Sequence, residues 1–178
     1  MTDDTHNADT WAEHQRSEFE TLDVEQALRT MTPEPYVNHV PTMTGGFGAA
    51  ELRRFYRDHC IGQWPSDTTI TPISRTAGDN QIADDTLIAF THDRVIDWIL
   101  PGVAPTGRKI EVSTVAIVRF ENGMVAREHI CWDQASVLVQ AGLIAPERLP
   151  VAGAEVAAKV KDPTLPSNTL IRTRSQAS

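Results

Sequence analysis

Between Lys109 and Trp132 the chain reads KIEVSTVAIVRFENGMVAREHICW, two β-branched runs joined by Glu121-Asn122-Gly123. Asn-Gly between alternating apolar residues is the strongest short-range hairpin signal, because a two-residue type I′ turn needs positive φ at both central positions. A long hairpin buries its apolar face only against more strands and a second layer, so this segment commits the chain to a sheet-based domain. The second strand runs straight into QASVLVQAG, a short helix with Gly142 as its C′ residue. Strand alternation then puts His129, Cys131 and Asp133 on one face and Glu128, Ile130 and Trp132 on the other.

The rest of the chain supplies the other layers. TTITPISRTAGDNQIADDTLIAFTHDRVIDWI reads as two more strands with a turn at Ala77 to Asn80. Thr10 to Met31 has helical periodicity, best met by two short helices, and Ala49 to Gln63 is a further helix with Leu52, Phe55, Tyr56, His59 and Cys60 on one stripe. The segment MTPEPYVNHVPTMTGGFG between them, with three prolines and three glycines, reads as irregular. Helices first, long antiparallel strands next and a short helix last indicate an α+β fold, a curved antiparallel sheet wrapped around N-terminal helices with an internal pocket. The expected division is a disordered N-terminus at 1–9, one folded domain at 10–146, and a C-terminal extension at 147–178 with a short helix and an extended tail.

A formal net charge of -8 over 178 residues speaks against a nucleic-acid or anionic membrane partner. No apolar run approaches the roughly 20 residues of a membrane span. The acidic start MTDDTHNADTW has no signal-peptide character, and Cys60 and Cys131 suit a reducing compartment, so a cytoplasmic location is expected. The histidines at 39, 59, 92 and 129 lack i, i+4 or H-x-H spacing and neither cysteine belongs to a C-x-x-C pair, so no metal is expected.

Asp133 is the first candidate for chemistry. Walled by Trp132 and aliphatics, a carboxyl there would have its pKa raised by desolvation and suit acid–base work. Its place just before the helix also makes it an N-cap, worth about 1 kcal/mol, and the two roles are compatible. His129 shares its face, and Cys131 between them reads as small packing. His92, in FTHDRVIDW, is a second histidine candidate, while Asp97 and Trp98 lie in an apolar stretch where burial is expected. Tyr36, Asn38 and His39 sit in the irregular segment, where binding residues commonly lie.

Ala104-Pro105-Thr106-Gly107-Arg108, the Asn-Gly hairpin and the Trp132-Asp133-Gln134 helix entry together resemble the nuclear transport factor 2-like superfamily, and within it the SnoaL-like polyketide cyclase group, over Phe19 to Ile144. FTHDRVIDWILPG and LPVAGAEVAAKVKDP resemble a subgroup labelled carboxymethylenebutenolidase-like. The resemblance implies an α+β cone with one pocket, usually in a homodimer packed sheet to sheet. It also implies a general acid–base Asp at the end of the last long strand, aided by a histidine on a neighbouring strand. Asp133 matches that Asp; the partner role falls to His92, His129, Asp97 or no residue.

The expectation is a cofactor-independent enzyme doing cyclase- or isomerase-type chemistry on a polyketide-like or other apolar carbonyl substrate. Asp133 would act with His92 or His129, and Tyr36, Asn38, His39, Asp97, Trp98 and Trp132 would shape the pocket. The alternatives are lactone or epoxide hydrolysis in the same pocket, and a non-catalytic ligand-binding or dimerisation module.

Overall fold

A computed structural model of the protein describes residues 2–171. Along the chain lie α1 (Thr2–Phe19), α2 (Val24–Arg29), β1 (Met31–His39), β2 (Thr44–Phe47), α3 (Ala49–Phe55), β3 (Thr69–Gly78), β4 (Gln81–Thr91), β5 (Lys109–Glu121), β6 (Met124–Trp132), α4 (Gln134–Gln140) and α5 (Glu155–Lys161). The strands form one open six-stranded sheet in the order β2-β1-β6-β5-β4-β3. Neighbours are antiparallel except β1 and β6, which run parallel.

The β5–β6 hairpin forms around the turn its sequence encodes, with φ of 52° at Asn122 and 77° at Gly123. Gly142, at φ 74°, follows α4 in the left-handed conformation expected of a C′ residue. The inward positions of β5, Ile110, Val112, Thr114, Val118 and Phe120, are buried, while Val115 and Ile117 point to the opposite, outer face and are partly exposed. On β4 the buried inner residues include Ile82, Asp84, Ile88 and Phe90. Trp11, Phe55 and Tyr56 from the helical layer join these strands in one core. Each large apolar side chain so covered contributes about 1.5–3 kcal/mol.

Two expectations are corrected. The segment read as irregular is the β1–β2 hairpin, in which Tyr36 pairs with Phe47 and His39 with Thr44. Its prolines are tolerated because the ladder to β6 breaks where they sit: Met31 pairs with Val125, and pairing resumes only at Tyr36 with Arg127. Residues expected to be disordered at the N-terminus are helical from Thr2. The Thr10 hydroxyl donates to the Gly123 carbonyl at 2.9 Å, and Asn7 is buried, so contacts to the hairpin turn hold the helix in place.

Two local features matter for the site. Helix α3 continues as a π-turn over Tyr56–Cys60, closed by Ile61 N–H donating to the Tyr56 carbonyl at 2.8 Å, and both Tyr56 and Cys60 are buried. Where β6 ends, the Gln140 side-chain amide takes its place beside β5. Its Nε2 donates to the Glu111 carbonyl and its Oε1 accepts from the Glu111 N–H, each at 2.9 Å. The C-terminal tail expected to be extended spans residues 162–178, of which 172–178 lie outside the described residues. Among the described residues no helix is long and apolar enough to cross a membrane.

Candidate functional site

Helix α1 lies over the inner face of the sheet and encloses with it a cavity of about 80 Å³. Aromatic walls come from Trp11, Phe19, Trp64 and Trp98, and aliphatic ones from Val37, Ile70, Ile88 and Ile130. The polar groups at its surface are few: Glu18, Glu128, His39, Asp84, Gln15 and the Thr86–Thr114 pair. Such a mostly apolar concavity with a few convergent polar groups is the usual form of a small-molecule site.

Glu128 is the chemically distinctive member. It stands on the inner face of β6, buried, on the same side as Ile130. Its Oε1 forms an ion pair with His14 Nε2 at 3.2 Å, and Glu18 Oε1 lies 3.4 Å from the same nitrogen. His14 comes from α1, one helical turn before Glu18, and is fully buried. Its Nδ1 is 2.7 Å from the Thr30 hydroxyl. That hydroxyl donates its one hydrogen to the Ala27 carbonyl, so His14 Nδ1–H is the donor to Thr30 and Nε2 is the nitrogen that faces the carboxylates. Trp11 stacks on the imidazole at 5.4 Å, and the Tyr56 hydroxyl is 3.5 Å from Nε2.

Burial by itself would drive the His14 pKa down, but Glu128 and Glu18 outweigh it and lift the value to about 10. Burial pushes the Glu128 carboxyl up, against the attraction of His14. Both groups therefore hold protons more tightly than they would in water. A carboxyl with raised proton affinity at the wall of an apolar cavity, backed by an imidazolium, is equipped to exchange a proton with a bound molecule.

The other polar groups are engaged elsewhere or neutral. Asp84 accepts from Trp11 Nε1 at 2.7 Å and bidentately from Arg75, which closes that corner of the cavity. The Thr86 and Thr114 hydroxyls bond each other across β4 and β5 at 2.7 Å. Burial lowers the His39 pKa to about 4, so its imidazole is neutral.

Of the residues singled out in the sequence, His39 and Trp98 line the cavity. Trp132 packs edge-on against Trp98 at 5.6 Å and donates its indole N–H to Gln134. Asp133 is exposed and caps α4, its carboxylate accepting from Ser136 N–H at 3.1 Å; it lies outside the cavity lining. His129 and Tyr36 meet on the outer face, ring to ring at 5.6 Å, and by the same alternation Asn38 falls on that face. His92 is buried beside the 104–108 loop. Its Nδ1 accepts from Thr106 N–H at 3.3 Å, and its backbone holds Arg108 and Gly107 at 2.9 Å each. Asp97 pairs with His59 at 2.9 Å, and that hydrogen bond holds its carboxyl below the usual range. Asp133, His92 and His129 are thus not brought together. The physical reason is the alternation itself: the sheet buries the face of β6 that carries Glu128 and Ile130, not the face that carries His129 and Cys131.

Sequence reasoning missed His14, Glu18 and Glu128. The signals were present. Glu128 is a carboxylate among apolar residues on the face it shares with Ile130 and Trp132, and His14 and Glu18 stand at i, i+4 in a helical run. Among the described residues no group of three His, Cys, Asp or Glu is arranged to hold a metal ion.

Comparison with known proteins gives this fold and cavity a class. A SnoaL-like domain model matches residues 11–128, and the chain belongs to the SnoaL-like domain family. No curated protein matches it. Among solved structures it is similar to a putative SnoaL-like polyketide cyclase from Jannaschia sp., with TM-score 0.64 and 16% identity over 80% of this chain and 95% of that one. It is also similar to IdmH, a putative polyketide cyclase from Streptomyces antibioticus, with TM-score 0.59 and 19% identity over 76% and 98%. An NTF2-like protein of unknown function from Burkholderia pseudomallei gives TM-score 0.58 and 20% identity over 76% and 97%. The nuclear transport factor 2-like fold expected from the sequence is the fold of the protein.

Proposed function

We propose that this protein is a small-molecule enzyme in which Glu128 is the general acid–base, with His14 as its proton partner. The substrate class is a compact apolar carbonyl compound, and the reaction is of the cyclase or isomerase type. The observation that carries the reading is the buried contact between Glu128 and His14 at 3.2 Å, with Glu128 at the cavity surface. The similarity to structures described as putative polyketide cyclases supports the same chemistry. The acid–base role expected of Asp133 passes to Glu128.

In this scheme the Glu128 carboxylate removes a proton from the carbon beside the carbonyl, and the electron pair moves to the carbonyl oxygen as an enolate. The imidazolium of His14 stabilises the carboxylate before transfer and the neutral acid is held ready afterwards. Returning the proton to a different carbon completes an isomerisation; in a ring closure the enolate carbon attacks a second carbonyl, and the alkoxide that forms there takes the proton back from Glu128. A positioned carboxyl and hydrogen bonds to the oxyanion suffice, so no cofactor enters the scheme.

The test compares two variants on a panel of enolisable ketones and polyketide-like diketones. Glu128→Gln should lose about 10²–10⁴-fold in turnover while Asp133→Asn keeps it. Full activity in Glu128→Gln together with its loss in folded Asp133→Asn would overturn the reading.

A homodimer built on the outer sheet face belongs to the same proposal. It is supported by the partly exposed Val115 and Ile117 on β5, which register opposite Cys131 and His129 on β6. Sedimentation equilibrium of Ile117→Lys should then report monomers where the parent protein reports dimers.

A further inference from the structure

The His14 imidazole has one nitrogen committed to the fold and one shared between two acids. Nδ1–H donates to the Thr30 hydroxyl at 2.7 Å. Nε2 lies 3.2 Å from Glu128 Oε1 and 3.4 Å from Glu18 Oε1. The two acids differ in their access to water: the Glu128 side chain is 4% exposed and that of Glu18 12%. The other groups around the ring, Trp11, Thr30 and Tyr56, are buried. A proton that Glu128 takes from a bound molecule therefore needs a route out, and the one neighbour of His14 with appreciable solvent contact is Glu18.

We propose that Glu18 carries protons between solvent and the buried Glu128 by way of His14 Nε2. Glu128, as carboxylate, takes the proton from the substrate carbon and leaves the electron pair on the enolate. His14 Nε2 then gives its own proton to the Glu18 carboxylate, and the lone pair freed on Nε2 takes the proton from Glu128. Glu128 is again a carboxylate and His14 again an imidazolium, while Glu18 releases the one extra proton to water. The reverse sequence delivers a solvent proton to the enolate. One nitrogen serves both transfers because both carboxylates meet it, so the ring neither flips nor changes tautomer, and Nδ1–H stays on Thr30 throughout. Glu18 acts through His14 and is a positioning residue for the reaction. The relay rests on the reading of Glu128 as general acid–base for the origin of the proton; the path from His14 to water through Glu18 stands without it.

The experiment is ¹⁵N NMR of the histidine-labelled full chain at pH 8, where His14, with its pKa raised to about 10, is still an imidazolium. Two-bond correlations from its carbon-bound ring hydrogens identify it, and saturation transfer from water reads how fast Nε2–H exchanges. Glu18→Gln should slow that exchange by about 10²-fold, the measure of one positioned proton-transfer group. Glu18→Asp should fall between the two, and Glu128→Gln should not slow it. The direction is decisive. Removing a nearby negative charge makes the imidazolium a stronger acid, and looser packing admits water; both would speed exchange. An unchanged or faster rate in folded Glu18→Gln, equal slowing in Glu128→Gln, or a neutral His14 at pH 8 overturns the relay. Where Glu18→Gln fails to fold, Glu18→Asp decides, and a rate no lower than the parent's overturns it. Deuterium wash-in at the α-carbons of cyclopentanone separates the two claims, since it should vanish in Glu128→Gln and slow in Glu18→Gln. Slowed N–H exchange with wash-in indifferent to Glu128 would sink the acid–base role alone. Wash-in lost in Glu128→Gln, with N–H exchange unmoved by Glu18→Gln, would sink the relay alone.

Discussion

Glu128 and His14 reach each other across the cavity wall at 3.2 Å, one from the last strand and one from the first helix. Neither side chain has water to fall back on, for both are buried. Removing one member of such a pair strands the other's charge. His14→Ala should therefore destabilise the fold by about 3–5 kcal/mol. Replacing both, as His14→Leu with Glu128→Leu, should recover most of that loss while abolishing turnover, because apolar residues of similar volume are often as stable as a buried ion pair. Urea denaturation of the three proteins decides it; a double variant no more stable than the single one would show that the site is held by more than charge pairing.

The same pair sets an alkaline limit. The folded state keeps the His14 proton up to about 10, from an ordinary value of 6.5. Between those values the unfolded chain has released the proton and the folded one has not, so stability falls as pH rises. The contribution is complete below pH 6.5 and lost by the time pH passes about 10. The raised Glu128 carboxyl acts in the same direction. Denaturation midpoints measured from pH 6.5 to 10 should decline, and the decline should flatten in the His14→Leu, Glu128→Leu protein.

His39 has the opposite sign. Burial holds its pKa near 4 against an ordinary 6.5, so on acidification the unfolded chain takes up a proton that the folded one refuses. Its share of stability is present above pH 6.5 and lost as pH falls through 6.5 towards 4. Folded His39→Gln should lack that component, and the stability difference between it and the parent should shift in the variant's favour between pH 6.5 and 4.

Asp133 is predicted to matter for folding rather than turnover. Its carboxylate caps α4 through Ser136 N–H, and Asp133→Ala should cost about 1 kcal/mol. Activity per folded molecule should be unchanged, measured by normalising rate to the folded fraction from circular dichroism.

The parts of this fold that were legible in the sequence are those with local causes. Asn122-Gly123 dictates its turn and Gly142 its helix end, because both depend on backbone φ alone. Strand β1 was hidden by Pro33 and Pro35. Only the interrupted ladder between Met31 and Tyr36 explains how they are accommodated, and that interruption is a property of the partner strand β6. The proposed site was legible in its periodicity but not in its direction. Alternation separated Glu128 from Asp133 correctly, but which face is buried depends on where α1 lies, and His14 joins Glu128 only through that packing. A local pattern carries the cap of Asp133; the proton pair exists only in the assembled tertiary structure.

The side chain of Gln140 has a consequence beyond the helix that carries it. By bonding the Glu111 N–H and carbonyl, it covers the stub of β5 left bare when β6 turns away. Uncovered, those two backbone groups would continue the hydrogen-bonding edge of an established sheet and offer a seat to an extended segment of another molecule. The amide works as a stopper against templated association, so a leucine in its place would leave the helix intact and first show itself as light scattering on concentration.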